Sequence, residues 1–143
     1  MSQLHSLVYV SSAIERLSES ELELLLATSR ANNERDGLTG VLLYGDGNFM
    51  QLLEGDETRI RELMRKIEAD TRHTGIIVLL DEAVARRSFP EWQMGCMHAA
   101  KSELLALSTE RWHEMDTEAG DAPGISRGLV ALHSFARRKH GRT

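Results

Sequence analysis

Three features of the sequence predict an α+β domain. Short apolar, β-branched segments and two segments of helical periodicity follow one another in the order β-α-β-β-α-β. The 143 residues are the length of one domain. A composition of 41% hydrophobic and 27% charged residues is globular rather than disordered. This element order is the split βαβ arrangement of ferredoxin-like sheets. Right-handed crossovers place both helices on one face, with the first and third strands side by side in the middle.

Residues 4–11 read as the first strand, apolar and β-branched with Tyr9 inside it. Ser18 and Glu21 then form a Ser-x-x-Glu capping box before an apolar-periodic run. Leu22, Leu25, Leu26, Ser29 and Asn33 share one face of that helix. It ends near Asp36, where Gly37 is free to take the left-handed cap. Leu38–Tyr44 and Phe49–Leu53 are two strands of a hairpin around the turn residues Gly45 to Asn48. Asp56 caps a second helix with the stripe Ile60, Leu63, Met64 and Ile67, closed by Asp70-Thr71-Arg72-His73. Ile76–Leu80 is a fourth strand, fully apolar and therefore expected to be central or covered. Trp92–Cys96, just after Pro90, is a weaker fifth strand. Two further helical candidates, 99–107 and 125–139, flank a loop at 116–124. The stripe of the second is Ile125, Leu129, Leu132 and Ala136. Both are expected to cover the sheet face that the first two helices leave bare.

Charge and composition remove several classes of function. All 22 acidic residues but only 12 of the 17 Lys and Arg lie in the first 126 residues, leaving a body of charge −10. An acidic body argues against nucleic acid as a partner. The basic end, with Arg127, Arg137, Arg138, Lys139 and Arg142, reads as a solvated helix terminus, with an acidic partner as the alternative. No apolar run approaches the roughly twenty residues of a membrane helix, and no signal peptide is seen. The only cysteine, Cys96, fits a reducing cytoplasm. The six histidines are scattered without ligand spacing, so no metal site is expected. No basic cluster neighbours Cys96 in sequence to activate it, and Gly45-x-Gly47 is a turn rather than a dinucleotide fingerprint.

Three polar groups stand where the pattern asks for apolar ones. Asn33 is at the centre of the first helix stripe, with Ser29 one turn earlier. Gln51 faces the same way as Phe49 and Leu53, and Tyr9 the same way as Leu7 and Ser11. In the expected register Tyr9 and Gln51 are neighbours on central strands, beneath the helices and near Asn33. A buried carboxamide is costly unless paired. Either these groups satisfy one another, or a polar-edged ligand lies between the helices. Asn and Gln offer both donor and acceptor, which suits a flat heterocycle whose edge alternates C=O and N–H.

Six pieces in register carry a family resemblance: Leu7-Val8-Tyr9-Val10-Ser11; Ser29-Arg30-Ala31-Asn32-Asn33; Gly40 to Tyr44; Phe49-Met50-Gln51-Leu52-Leu53-Glu54-Gly55; Asp70-Thr71-Arg72-His73; and Phe89-Pro90-Glu91-Trp92-Gln93-Met94-Gly95. Over roughly residues 4–97 the chain resembles the BLUF domain, a flavin-binding blue-light sensor. The resemblance implies FAD between the first two helices, with FMN or riboflavin as alternatives because the phosphate end has no clear motif. Leu25 and Ile67 would sandwich the ring system. Asn33 would bond its pyrimidine edge beside Asn32, and Lys66 and Arg72 would add positive charge. Ser29, Asp70 and His73 complete the implied contacts. Lys66 stands four residues before Asp70, a spacing that also suits a plain surface ion pair.

In the implied mechanism the excited flavin takes an electron from Tyr9, and the proton follows through Gln51. Gln51 ends rotated or tautomerised, with a stronger bond to the flavin and a red-shifted absorption. Trp92 and Met94, read as sharing a strand face, would pass the change outward. Which of them packs beside Gln51 is left open, and core packing is the plain alternative for Trp92. The expected organisation is a sensor over 1–97 and a helical extension over 98–143, too short for a catalytic output domain. The chain is therefore expected to be no enzyme, to signal to a separate effector protein, and to form a homo-oligomer. The competing readings are a flavin-dependent oxidoreductase, which needs an open face for substrate, and a cofactor-free ferredoxin-like interaction module.

Overall fold

The computed structural model describes residues 4–13, 18–45, 47–71, 73–87, 89–90, 92, 94–109, 131–132 and 135. Its elements in chain order are β1 (Leu4–Ala13), α1 (Glu19–Asp36), β2 (Thr39–Gly45), β3 (Asn48–Asp56), α2 (Glu57–Ala69), β4 (His73–Ala83), β5 (Gly95–His98) and α3 (Lys101–Ser108). The five strands form one mixed sheet in the order β4-β1-β3-β2-β5. β1, the first strand, and β3, the third, are central neighbours, as the crossover rule requires. The first four strands pair antiparallel, and β5 adds parallel to β2.

Local chemistry sets the element ends. The Ser18 hydroxyl accepts the Glu21 N–H at 3.1 Å, and the Glu21 carboxylate accepts the Ser18 N–H at 3.0 Å, closing the capping box. Gly37 ends α1 in the left-handed region at φ 71°, where a side chain would be strained. The Asp56 carboxylate takes the Thr58 N–H at 3.3 Å and starts α2. Gly45 opposes Asn48, so β2 and β3 are joined by a two-residue turn with Gly47 at φ 78°.

Alternation along the strands splits the interior in two. Val8, Val41, Leu43, Met50, Leu52 and Leu80 point to one face and pack with Phe89, Leu104, Leu107, Leu132 and Phe135. Leu7, Tyr9, Leu42, Phe49 and Leu53 point to the other, under Leu22 and Leu26 of α1 and Ile60 and Met64 of α2. α3 thus covers the face opposite α1 and α2. Leu132 joins that layer as its stripe predicts, together with Phe135, whereas Ile125, Leu129, Ala136 and the 116–124 loop lie outside the described residues.

Two strands depart from expectation. β4 runs eleven residues, not five, and begins at His73, which the sequence placed in the close of α2. It is an edge strand rather than a central one, with Ile77 60% and Val78 42% exposed. β-Branched residues favour any strand, and here that preference mimicked burial. Its register with β1 shifts after Val8 and after Val10, so the face its side chains meet changes along its length. β5 covers Gly95–His98, so Trp92 and Met94 precede it instead of sharing a strand face. The Trp92 ring lies against Phe89 with centroids 5.0 Å apart, and the Trp92 carbonyl accepts the Gly40 N–H at 2.8 Å.

Candidate functional site

A cleft opens between α1, α2 and the sheet. Leu25 of α1 stands on one side, and Leu63 and Ile67 of α2 stand on the other. Leu42 and Phe49 form the apolar part of its floor, and Tyr9 and Gln51 the polar part. Ser29, Asn32, Asn33, Asp70 and His73 edge it. It holds about 740 Å³ of empty space, its open mouth included.

The floor is set by the sheet. Tyr9 of β1 opposes Gln51 of β3, which opposes Leu42 of β2, which in turn opposes Cys96 of β5. Tyr9 and Gln51 are 4% and 8% exposed. The Tyr9 O–H donates to Gln51 Oε1 at 2.5 Å. That leaves the Gln51 amide N–H₂ facing the other way, where Nε2 lies 3.6 Å from the Met94 sulfur. Thioether sulfur is a weak acceptor, so this end of the amide is loosely held. Burial pushes the Tyr9 phenol far above its ordinary range, and the nearby Asp70 charge raises it further. Tyr9 is therefore a neutral donor throughout the physiological range.

His73 joins the helix to the floor. Its Nε2–H donates to the Ile67 carbonyl at 2.7 Å, which leaves Nδ1 to accept the Ser11 hydroxyl at 2.9 Å. Its ring meets Phe49 edge-on, with centroids 6.4 Å apart. Asn33 is 1% exposed at the end of the α1 stripe.

Nine of the predicted binding residues line this one cleft: Tyr9, Leu25, Ser29, Asn32, Asn33, Gln51, Ile67, Asp70 and His73. Lys66 does not. Adjacent helix residues differ in direction by about 100°, so with Ile67 turned inward Lys66 is exposed. Its charge acts instead on Asp36, whose carboxyl is lowered by its hydrogen bond to Arg35 and, less, by Arg59 and Lys66. Arg72 lies outside the described residues. Of the two signalling candidates, Met94 is 2% exposed beside Gln51, while Trp92 packs with Phe89 against the opposite core.

Sequence reasoning missed the roles of Leu42, Phe49 and Leu63 in the cleft, because an apolar residue lining a slot looks like one lining a core. It also missed the fastening of the segment between β4 and β5. The fully buried Glu54 carboxylate accepts the Phe89 N–H at 2.8 Å. Arg87 donates to the Gly37 and Glu54 carbonyls at 2.8 and 3.0 Å and to the Thr39 hydroxyl at 2.9 Å. Among the described residues no cluster of His, Cys, Asp and Glu could hold a metal ion, and no helix is long and apolar enough to cross a membrane.

The residues fit a planar heterocycle. Aliphatic walls suit its two faces, and the Asn32, Asn33 and Gln51 amides suit an edge of alternating acceptors and donors. Fold and site together define a ferredoxin-like domain whose cleft between two helices fits a flat, hydrogen-bonding cofactor. The chain matches the family described as sensors of blue light using FAD (BLUF) over residues 4–95. It is 34% identical over 106 residues to the photoactivated adenylate cyclase subunit beta of Euglena longa, covering 73% of this chain and 12% of that protein. It is 35% identical over 85 residues to the blue light- and temperature-regulated antirepressor BluF of Escherichia coli strain K12, covering 59% of this chain and 21% of that protein. The dark-state structure of BlrB, a BLUF protein, superposes with a TM-score of 0.70 at 34% identity, covering 96% of this chain and 98% of that one. The chain spans about an eighth of the length of the Euglena longa relative. It belongs to the BLUF family of flavin-binding blue-light sensors.

Proposed function

We propose that this chain is a photoswitch built on the Tyr9–Gln51–Met94 row, with FAD as its flavin. The observation that carries the reading is that row: an oxidisable phenol bonded to a carboxamide whose other end rests on a weak acceptor. When bound, the flavin supplies blue-light absorption and an electron acceptor for the phenol. Leu25, Leu63 and Ile67 exclude water from its faces, and Asn32 and Asn33 orient its polar edge. Tyr9 gives up an electron, and its phenolic proton moves from Oη to Gln51 Oε1 along the existing hydrogen bond. Electron and proton both return, so Tyr9 is restored. Gln51 is left with its donor and acceptor ends exchanged: the weak sulfur contact is given up, and the amide N–H₂ turns to the Tyr9 oxygen, which accepts where it had donated. The amide N–H then strengthens the bonding at the polar edge and shifts absorption to the red.

The site undergoes no net turnover, so we assign the chain itself a sensory rather than an enzymatic role. Residues 1–97 form the sensor, and 98–143 a helical extension that passes the change to a separate effector protein in the cytoplasm, with the sensor as a homo-oligomer. The relatives named as a photoactivated cyclase and an antirepressor support a sensor that governs an output held elsewhere. A visible spectrum of the purified protein, dark and then blue-lit, tests the reading. A structured flavin band that moves slightly red and recovers in the dark is the expected result. Bleaching would point to redox turnover, and absence of flavin even after loading would leave an interaction module.

A further inference from the structure

Met94 is held at two atoms by two different elements. Its sulfur meets Gln51 Nε2 at 3.6 Å. Its carbonyl accepts a hydrogen bond from Arg30 Nε at 3.0 Å. Arg30 sits on α1 among Ser29, Asn32 and Asn33, yet those three line the cleft and Arg30 does not. It reaches sideways to the strand lead-in.

That lead-in needs fixing. β5 is only four residues long and pairs with the sheet along one side, in the slightly weaker parallel mode. Met94 lies just before it, outside the ladder. Two residues earlier, the Trp92 carbonyl is taken by the Gly40 N–H at 2.8 Å. At Met94 the corresponding bond comes from a side chain of the helix that walls the cleft. An Arg donor stays charged at every accessible pH, and a charged donor makes a stronger bond than a neutral one. Burial raises the Cys96 thiol, and the nearby Arg30 charge lowers it.

We propose that Arg30 is a positioning residue for the switch: it holds the Met94 main chain so that the sulfur stays under the Gln51 amide. Arg30 is not among the residues that line the cleft, and it acts on the switch through Met94. The optical half of the test rests on the photoswitch reading, whereas the structural half does not.

The test uses the full chain with ¹³C-methyl methionine, the Met94 signal being assigned by its loss in Met94→Leu. Arg30 is exposed on a helix, so Arg30→Leu keeps the fold while deleting the donor. Arg30→Gln places an amide nitrogen the same number of bonds from Cα as Arg Nε. The Met94 methyl signal should move in Arg30→Leu and return in Arg30→Gln. After illumination, Arg30→Leu should slow dark recovery about three- to tenfold, the span that one lost hydrogen bond gives, because the returning amide finds no sulfur in place. Arg30→Gln should restore the rate to within about twofold on the same scale. In a Met94→Ala background, Arg30→Leu should add nothing, since no sulfur remains to be placed. An unmoved Met94 signal in Arg30→Leu overturns the proposal, and so does a rate effect that persists in full without Met94. A wild-type chain with no light-induced shift would sink the photoswitch reading, while the methyl signal would still decide Arg30.

Discussion

The two faces of the sheet are built from the same strands and do opposite things. On β3, Met50 and Leu52 point to one side and Gln51 to the other. The Met50 side is a closed apolar layer sealed by α3, Phe89, Leu132 and Phe135. The Gln51 side keeps a cleft, with a phenol and amides where side chains would otherwise interdigitate. One face is closely packed and the other leaves room for a ligand, a division that period-two alternation makes available to any strand covered on both sides.

Substitutions on the two faces should therefore separate function from stability. The largest effect is expected on the cleft side: Gln51→Leu or Tyr9→Phe should abolish the light-induced red shift while the protein keeps its flavin colour, as a light-minus-dark difference spectrum will show. Retention of the shift in either variant would break the division. On the closed side, Leu52→Ala should cost about 2–5 kcal/mol in denaturant unfolding, because Leu52 is fully buried among neighbours that cannot collapse, and it should leave the shift intact in the folded fraction.

A smaller effect sharpens the contrast. Leu25 is only half-buried and faces the cleft, so Leu25→Ala should lower stability by about 1 kcal/mol or less. Its flavin affinity should fall about tenfold, read by titration of the flavin-free protein. The smallest effects concern pH. The folded-state pKa of Tyr9 is raised by burial and then by Asp70. Its contribution to stability is thus complete below the unfolded value of about 10 and is lost as pH climbs above it. Tyr9→Phe should flatten that alkaline loss in a stability–pH profile. Asp81 has the opposite sign. Its carboxyl is lowered first by its hydrogen bond to Arg61, at 2.7 and 2.8 Å, and then by His5. Its contribution is complete above the unfolded value of about 4 and fades as pH falls below it, a slope that Asp81→Asn should remove.

Much of this arrangement is legible along the chain because it rests on short-range rules. The capping box, the Gly37 cap and the Gly45–Asn48 turn are local. The convergence of Tyr9, Gln51 and Asn33 follows from alternation, helical spacing and one crossover rule. What stays hidden depends on distant contacts. That β4 is an edge follows from sheet order, which its own apolar letters do not report. The place of β5 follows from its pairing with β2, more than 50 positions away in the chain. Arg30, Arg87 and Glu54 act across 33 to 64 positions of chain, at atoms no pattern marks. Lys66 fails as a lining residue by a single step of helix rotation from Ile67.

Tyr9 and Gln51 face each other as a cross-strand pair, 42 positions apart in sequence. Their spacing is thus inherited from main-chain geometry common to all antiparallel ladders, about 5 Å between opposed residues. Neither helix sets it. Substitutions in the walls of the cleft consequently leave the reach of this pair unchanged. The pair behaves as a fixed socket, and the helices as an exchangeable fitting around it.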